Sequence, residues 1–134
     1  MSEALWQKSA VEVATGIRER RFSCSEVMGS VVARIRALNP KLNAIVMDLS
    51  DQALAEAAAA DRALPGLREP PPLFGVPVTI KVNIDQEGQA TTNGLPALAN
   101  LIAPADSPNS VTLSGSPPKA PTFSCTHSST HIWS

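Results

Sequence analysis

Pro72-Leu73-Phe74-Gly75-Val76-Pro77-Val78-Thr79-Ile80-Lys81-Val82-Asn83-Ile84-Asp85-Gln86-Glu87-Gly88-Gln89-Ala90-Thr91-Thr92-Asn93-Gly94 is the stretch on which the fold turns. Val76 to Ile80 is an apolar run rich in β-branched residues, and it ends on a lysine, Lys81. Val82 and Ile84 straddle Asn83, and the turn formers Gly88, Thr91-Thr92 and Gly94 follow. A short β-branched run bounded by Gly and Pro indicates a buried strand. Such a strand delivers one ammonium group to a defined point. On physics alone, the simplest role for that group is a strand end whose lysine reaches water along its own methylenes.

Upstream of the strand the pattern is helical. Ser9-Ala10-Val11-Glu12 fits a capping box, in which the serine oxygen takes an early backbone N–H and the glutamate reaches back. It predicts a helix to about Arg21 with Val11, Ala14 and Ile17 on one face, and Trp6 packing back on that face. Arg18-Glu19-Arg20-Arg21 reads as a solvated helix end, with cations near the negative end of the dipole. Ser23-Cys24-Ser25-Glu26 repeats the capping pattern, and Val27, Val31, Ile35 and Leu38 then recur at helical spacing. Asn39-Pro40 is expected to end this second helix, because proline disfavours helix at the residue before it. Leu42 to Met47 reads as a short strand. A third, alanine-rich helix is predicted from about Asp51 to Leu64, with Pro65-Gly66 and Pro70-Pro71-Pro72 leading into the lysine strand.

The bulk properties exclude several classes. With 134 residues, 43% hydrophobic and 17% charged, the chain is one domain's worth at most. A net charge of -1 implies no strong attraction to nucleic acid or to an anionic membrane. No apolar run approaches membrane-spanning length, and Met1 to Ala10 lacks a signal-peptide apolar core, so a cytoplasmic protein is expected. Cys24 and Cys125 are expected as free thiols in a reducing compartment. Cys24 lies at a helix start, where a thiol pKa can fall, although a small residue in the first turn is the simpler reading. Residues 107–134 carry 8 Ser, 4 Thr and 4 Pro with one lysine, Lys119, and no Asp, Glu or Arg. No period there is long enough to bury a face, so the segment is expected to be disordered or loosely draped. Cys125, His127 and His131 fall within seven residues. Two histidines four apart would share a face on a helix, as in zinc sites. This segment is not expected to be helical, so no built metal site is expected.

The lysine stretch resembles the signature motif of the amidase signature family, the Ser–Ser–Lys amide hydrolases. The likeness is carried by Pro72, Leu73, Gly75, Val76, Pro77, Val78, Ile80, Lys81 and Asn83. Val82 stands where many members have Asp. Asn43-Ala44, the Ala59-Ala60-Asp61 end of the third helix and Pro104 to Pro108 also fit, so the resemblance covers roughly residues 4–108. It implies a mixed α/β fold, the N-terminal fragment of the amidase signature fold, with about three helices and two or three short strands. Residues 1–106 would form a partial amidase domain and residues 107–134 a tail foreign to the family. The tail would mark a chain ended early by a frameshift or a premature stop, and the incomplete fold would be poorly soluble or loosely packed.

For activity, the resemblance implies hydrolysis of small carboxamides through a serine acyl-enzyme, with no metal and no cofactor. Lys81 would be the general base, drawing a proton through a bridging serine on a cis peptide. A free lysine pKa of about 10.4 must then be lowered by burial and hydrogen bonding. Asn83, Gly75 and Thr92 would support the lysine and its following turn. The family's two serines lie well downstream in a segment like Gly-Gly-Ser-Ser-Gly-Gly, which is not found here. Ser114-Gly115-Ser116 is the nearest string and lies too few residues after Lys81. The chain is therefore expected to be inactive alone. Two other readings remain: a small non-catalytic α+β binding or regulatory module, and a fragment of the amide-hydrolysing component of the tRNA-dependent amidotransferase. No partner protein is indicated.

Overall fold

The computed structural model of the chain describes residues 4–108 and, for the backbone, residues 124–127. Three helices, α1 (Ala10–Arg18), α2 (Cys24–Leu42) and α3 (Ser50–Ala63), pack with three strands, β1 (Ile45–Met47), β2 (Val78–Lys81) and β3 (Ser124–His127). The sheet order is β1-β3-β2, with β3 antiparallel to β1 and parallel to β2.

Both capping boxes form. The Ser9 N–H donates to Glu12 Oε2 at 2.8 Å, and the Ser23 N–H donates to Glu26 Oε2 at 2.8 Å. Helix α1 stops at Arg18, three residues short of the predicted end. The Arg20 N–H donates to the Ile17 carbonyl at 3.0 Å and the Arg21 N–H to the Gly16 carbonyl at 2.8 Å, a Schellman closure with Arg20 left-handed at φ 56°. Ile17 of the expected face is buried and Ala14 packs partly buried against the core, but Val13 and Gly16 complete the buried face in place of Val11, which is 74% exposed. A Cβ at Gly16 would run into the ring of Phe22, which would have to shift to admit it. Trp6 packs on α2 rather than α1. Its N–H donates to Ser30 Oγ at 3.2 Å, and the Arg34 guanidinium lies 4.3 Å from its ring centroid.

A left-handed arginine is costly where glycine is preferred. Arg20→Gly is expected to stabilise the chain by about 1 kcal/mol, read as a higher urea midpoint at unchanged slope.

Proline does not end α2. The helix runs through Pro40 to Leu42, where Asn43 caps it in the left-handed region at φ 47°. The last turn is held from outside. Asn39 Oδ1 accepts from the N–H groups of Ala44 (3.0 Å) and Ile45 (2.8 Å), and Asn39 Nδ2 donates to the Ile45 carbonyl at 2.9 Å. This clamp fastens the helix end to β1 and outweighs the single bond that proline forfeits. Val27 is buried as expected, and Met28 and Val32 join it, while Val31, Ile35 and Leu38 are half-buried. Helix α3 matches its predicted limits to within a residue and buries Ala53, Ala57 and Ala60. These small side chains let α2 and α3 approach closely.

The core continues through Phe74, Val76 and Ile80. Gly75 sits between the helices and the lysine strand at φ +74°. A Cβ there would meet Cys24 Sγ and lie 2.9 Å from Ile17 Cδ1. In the described backbone, Ser124–His127 lies as β3 between β1 and β2. Each of those strands has an edge of backbone donors and acceptors to satisfy, and a proline-free stretch of four residues serves both. Residues 109–123 and 128–134, including Ser114 to Ser116 and His131, lie outside the described residues.

Candidate functional site

Strand β2 alternates as a half-buried strand should. Ile80 is 4% exposed and points inward, while Thr79 and Lys81 are exposed. Lys81 is thus carried at the strand end with Val82 buried behind it. The Ile84 N–H donates to the Lys81 carbonyl at 2.9 Å, so the chain turns directly after the lysine. Among the described residues no carboxylate pairs with Lys81.

Residues 82–107 fold back as one closed loop. The Gly88 N–H donates to the Ala103 carbonyl and the Ala103 N–H to the Gln89 carbonyl, both at 2.9 Å. The loop's two ends are tied by the Ser107 N–H to the Asp85 carbonyl (3.0 Å) and by the Glu87 N–H to Asp106 Oδ1 (2.8 Å). Thr91 Oγ1 donates to Asp85 Oδ1 at 2.5 Å. Asn93 (φ 51°) and Gly94 (φ 76°) make a tight turn closed by the Leu95 N–H on the Thr92 carbonyl at 2.8 Å. Thr92 Oγ1 also accepts the Gly94 N–H at 3.3 Å, so its role as a support of this turn is visible.

Asp61, at the C-terminal end of α3, is the polar anchor of the helical layer. Its carboxylate accepts from the Cys24 N–H (2.7 Å), the Ser25 N–H (3.0 Å) and Ser25 Oγ (2.5 Å) at the start of α2. Burial alone pushes this carboxyl up, but the hydrogen bonds from Ser25 and Cys24 together outweigh it and hold the group below its ordinary range. Cys24 is fully buried. Its thiol pKa does not fall as a helix start allows. Burial first, and then the Asp61 charge, push it from 9.0 up to about 12. The raised value means that the thiol form stabilises the fold fully below about pH 9, and that this contribution is lost as pH rises toward 12. Wild-type stability should therefore fall across that alkaline window, and Cys24→Ala should flatten the fall in a pH series of urea titrations.

An apolar cavity of about 230 Å³ opens between α1, α2 and the start of β2, with Lys8 and Thr79 its only polar lining residues among those described. It does not include Lys81. No group of three or more His, Cys, Asp or Glu suited to a metal occurs among the described residues. Cys125 and His127 fall in β3, beside Thr79 and Lys81 respectively in the parallel register.

The sequence model of the family described as Amidase matches residues 26–113, from the first turn of α2 through the closed loop. The chain belongs to the amidase family. Over 104 residues it is 47% identical to an indoleacetamide hydrolase of Bradyrhizobium diazoefficiens, covering 78% of this chain and 20% of that protein. It is 36% identical over 107 residues to fatty-acid amide hydrolase 2-B of Danio rerio, covering 75% of this chain and 20% of that one. A glutamyl-tRNA(Gln) amidotransferase polypeptide of Granulibacter bethesdensis is also similar, at 41% identity over 104 residues, with 78% of this chain and 21% of that one covered. The chain thus spans about a fifth of the length of these relatives. Among solved structures it is similar to a bacterial aryl acylamidase of the amidase signature family, with a TM-score of 0.78, 27% identity, and 90% of this chain and 25% of that chain covered. The amidase match ends at residue 113, five residues past Pro108.

Within the amidase family frame, sequence reasoning placed the lysine strand and both caps correctly. It missed the part of Asp61 in joining α3 to α2, although Asp61 stands among the positions that carry the family resemblance. The signal for it was the Ser23-Cys24-Ser25 helix start, which leaves early N–H groups for an outside acceptor. No helix among the described residues is long and apolar enough to cross a membrane.

Proposed function

We propose that this chain carries the lysine arm of an amide-hydrolysing site, with Lys81 as general base. The observation that supports it most is the placement of Lys81 at the exposed end of β2, inside a stretch matched to the amidase family. In this reading an unprotonated Lys81 Nζ takes a proton from a serine hydroxyl, which activates a second serine for attack on a carboxamide carbon. The leaving ammonia or amine receives that proton, and water then releases the acid. Backbone N–H donors must stabilise the tetrahedral oxyanion. The Gly/Ser-rich segment expected to supply the serines does not occur among the 134 residues, so the chain alone is expected to release no ammonia from carboxamides. The substrate is a small amide, and the proposed location is cytoplasmic.

The test uses a full-length relative that contains this lysine strand. Replacing the lysine matching Lys81 by alanine should lower kcat by about 10²–10⁴-fold, the usual contribution of a positioned proton acceptor. Full activity in the alanine variant would remove the assignment. A second reading, a piece of a tRNA-dependent amidotransferase, is supported by the 41% identity to such a protein. Transfer of the released ammonia to an acceptor, rather than its appearance in solution, would favour that reading.

A further inference from the structure

The asparagines of this chain differ in the backbone nitrogen that follows each of them. That nitrogen matters because it can attack the asparagine's own side-chain carboxamide. Asn39 is followed by Pro40, which has no N–H, and both polar atoms of its side chain are engaged by Ala44 and Ile45. The nitrogens after Asn43, Asn83 and Asn100 each donate a well-formed bond. The Ala44 N–H goes to Asn39 Oδ1 at 3.0 Å, the Ile84 N–H to the Lys81 carbonyl at 2.9 Å, and the Leu101 N–H to the Leu98 carbonyl at 3.0 Å. Each of those residues also has a side chain that crowds an approaching carboxamide. Asn93 differs on both counts. Gly94 has no Cβ, and its N–H makes only a long bond of 3.3 Å to Thr92 Oγ1. Asn93 and Gly94 are both exposed at the tip of a left-handed turn. Among the described residues, no hydrogen bond engages the Asn93 carboxamide.

We propose that Asn93 is a self-modification site, converted by attack of the Gly94 nitrogen on its carboxamide carbon. The Gly94 nitrogen gives its proton to hydroxide and bonds to Asn93 Cγ. The Cγ–Nδ2 bond breaks, and Nδ2 takes a proton from water and leaves as ammonia. Water then opens the resulting cyclic imide at either carbonyl. One opening leaves aspartate. The other leaves isoaspartate, in which the main chain runs through Cβ and Cγ. Water is the only co-reactant, and nothing is oxidised or reduced. Either product adds a carboxylate that is ionised at neutral pH. Isoaspartate also lengthens the main chain inside the turn, which pulls apart the Leu95 N–H and the Thr92 carbonyl that close it. The site is independent of any catalytic role for Lys81.

The test keeps the intact chain folded at mildly alkaline pH and follows each asparagine by peptide mass spectrometry, with isoaspartate distinguished from aspartate by fragmentation. Conversion at Asn93 is expected to outpace that at Asn43, Asn83 and Asn100 by about tenfold or more, since those sites must first open a hydrogen bond. Isoaspartate should be among the products, and the rate should rise with hydroxide. Gly94→Ala should slow the reaction by about tenfold, because its methyl group stands in the path of ring closure. Equal rates at the four sites overturn the proposal. So does aspartate without isoaspartate, which would mean direct hydrolysis by water, or a Gly94→Ala rate equal to that of the wild type. Conversion that appears in urea and not in the folded chain overturns it as well, because the turn would then be protecting the site.

Discussion

Gly75→Ala is expected to destabilise the chain by about 3 kcal/mol, a large share of the roughly 5–15 kcal/mol that holds a typical domain together. Two costs add. The residue stands at φ +74°, which an L side chain rarely adopts, and its Cβ would meet Cys24 Sγ and crowd Ile17 Cδ1 at 2.9 Å. Neither neighbour has room to move, since Cys24 and Ile17 are 0% and 1% exposed. The two costs separate in a double-mutant cycle. Cys24→Ala in the Gly75→Ala background should recover part of the steric cost and none of the conformational one. Urea titration followed by circular dichroism reads both, and a loss below about 1 kcal/mol would mean that the loop moves aside.

The second large effect belongs to Asp61. Asp61→Ala removes the acceptor of two backbone N–H groups and one hydroxyl at the start of α2. A loss of about 2 kcal/mol is expected, toward the upper end for a helix cap, because donors in a partly buried joint are left unmatched. Asp61→Asn keeps an oxygen acceptor but loses the charge that favours a helix N-terminus, so it should fall between wild type and the alanine variant. The pH dependence has a definite sign. The folded carboxyl is held below its ordinary value of 3.8, so its contribution is present above that pH and is lost as pH falls through the folded value. Glu12 and Glu26, lowered by their bonds to Ser9 and Ser23, act in the same direction. Asp61→Asn should therefore reduce the acid-side slope of stability without abolishing it.

The caps and the lysine strand were legible because each is local. Ser-x-x-Glu writes both of its partners within four residues, and Val78 to Lys81 shows its alternation in the sequence itself. Pro40 misled for the opposite reason. Its penalty is local, but the bonds that outweigh it run from Asn39 to Ala44 and Ile45, beyond the helix. Val11 misled because several registers of a short helix give an apolar stripe, and the choice fell to Gly16, which lies against Phe22. Of the candidate site, Lys81 was legible from its motif. Its register neighbour His127 was not, because the pairing of strands so distant in the chain leaves no local mark.

That pairing also sets an order of events. Strand β3 lies between β1 and β2, so neither of the earlier strands finds its partner until residues 124–127 have been made. The helical layer has no such wait: α2, α3 and the Asp61 joint are complete within the first half of the chain. During synthesis the helices can assemble early, while β1 and β2 stay open to any other extended strand that reaches them first. Closure of the sheet is then the slow, long-range step.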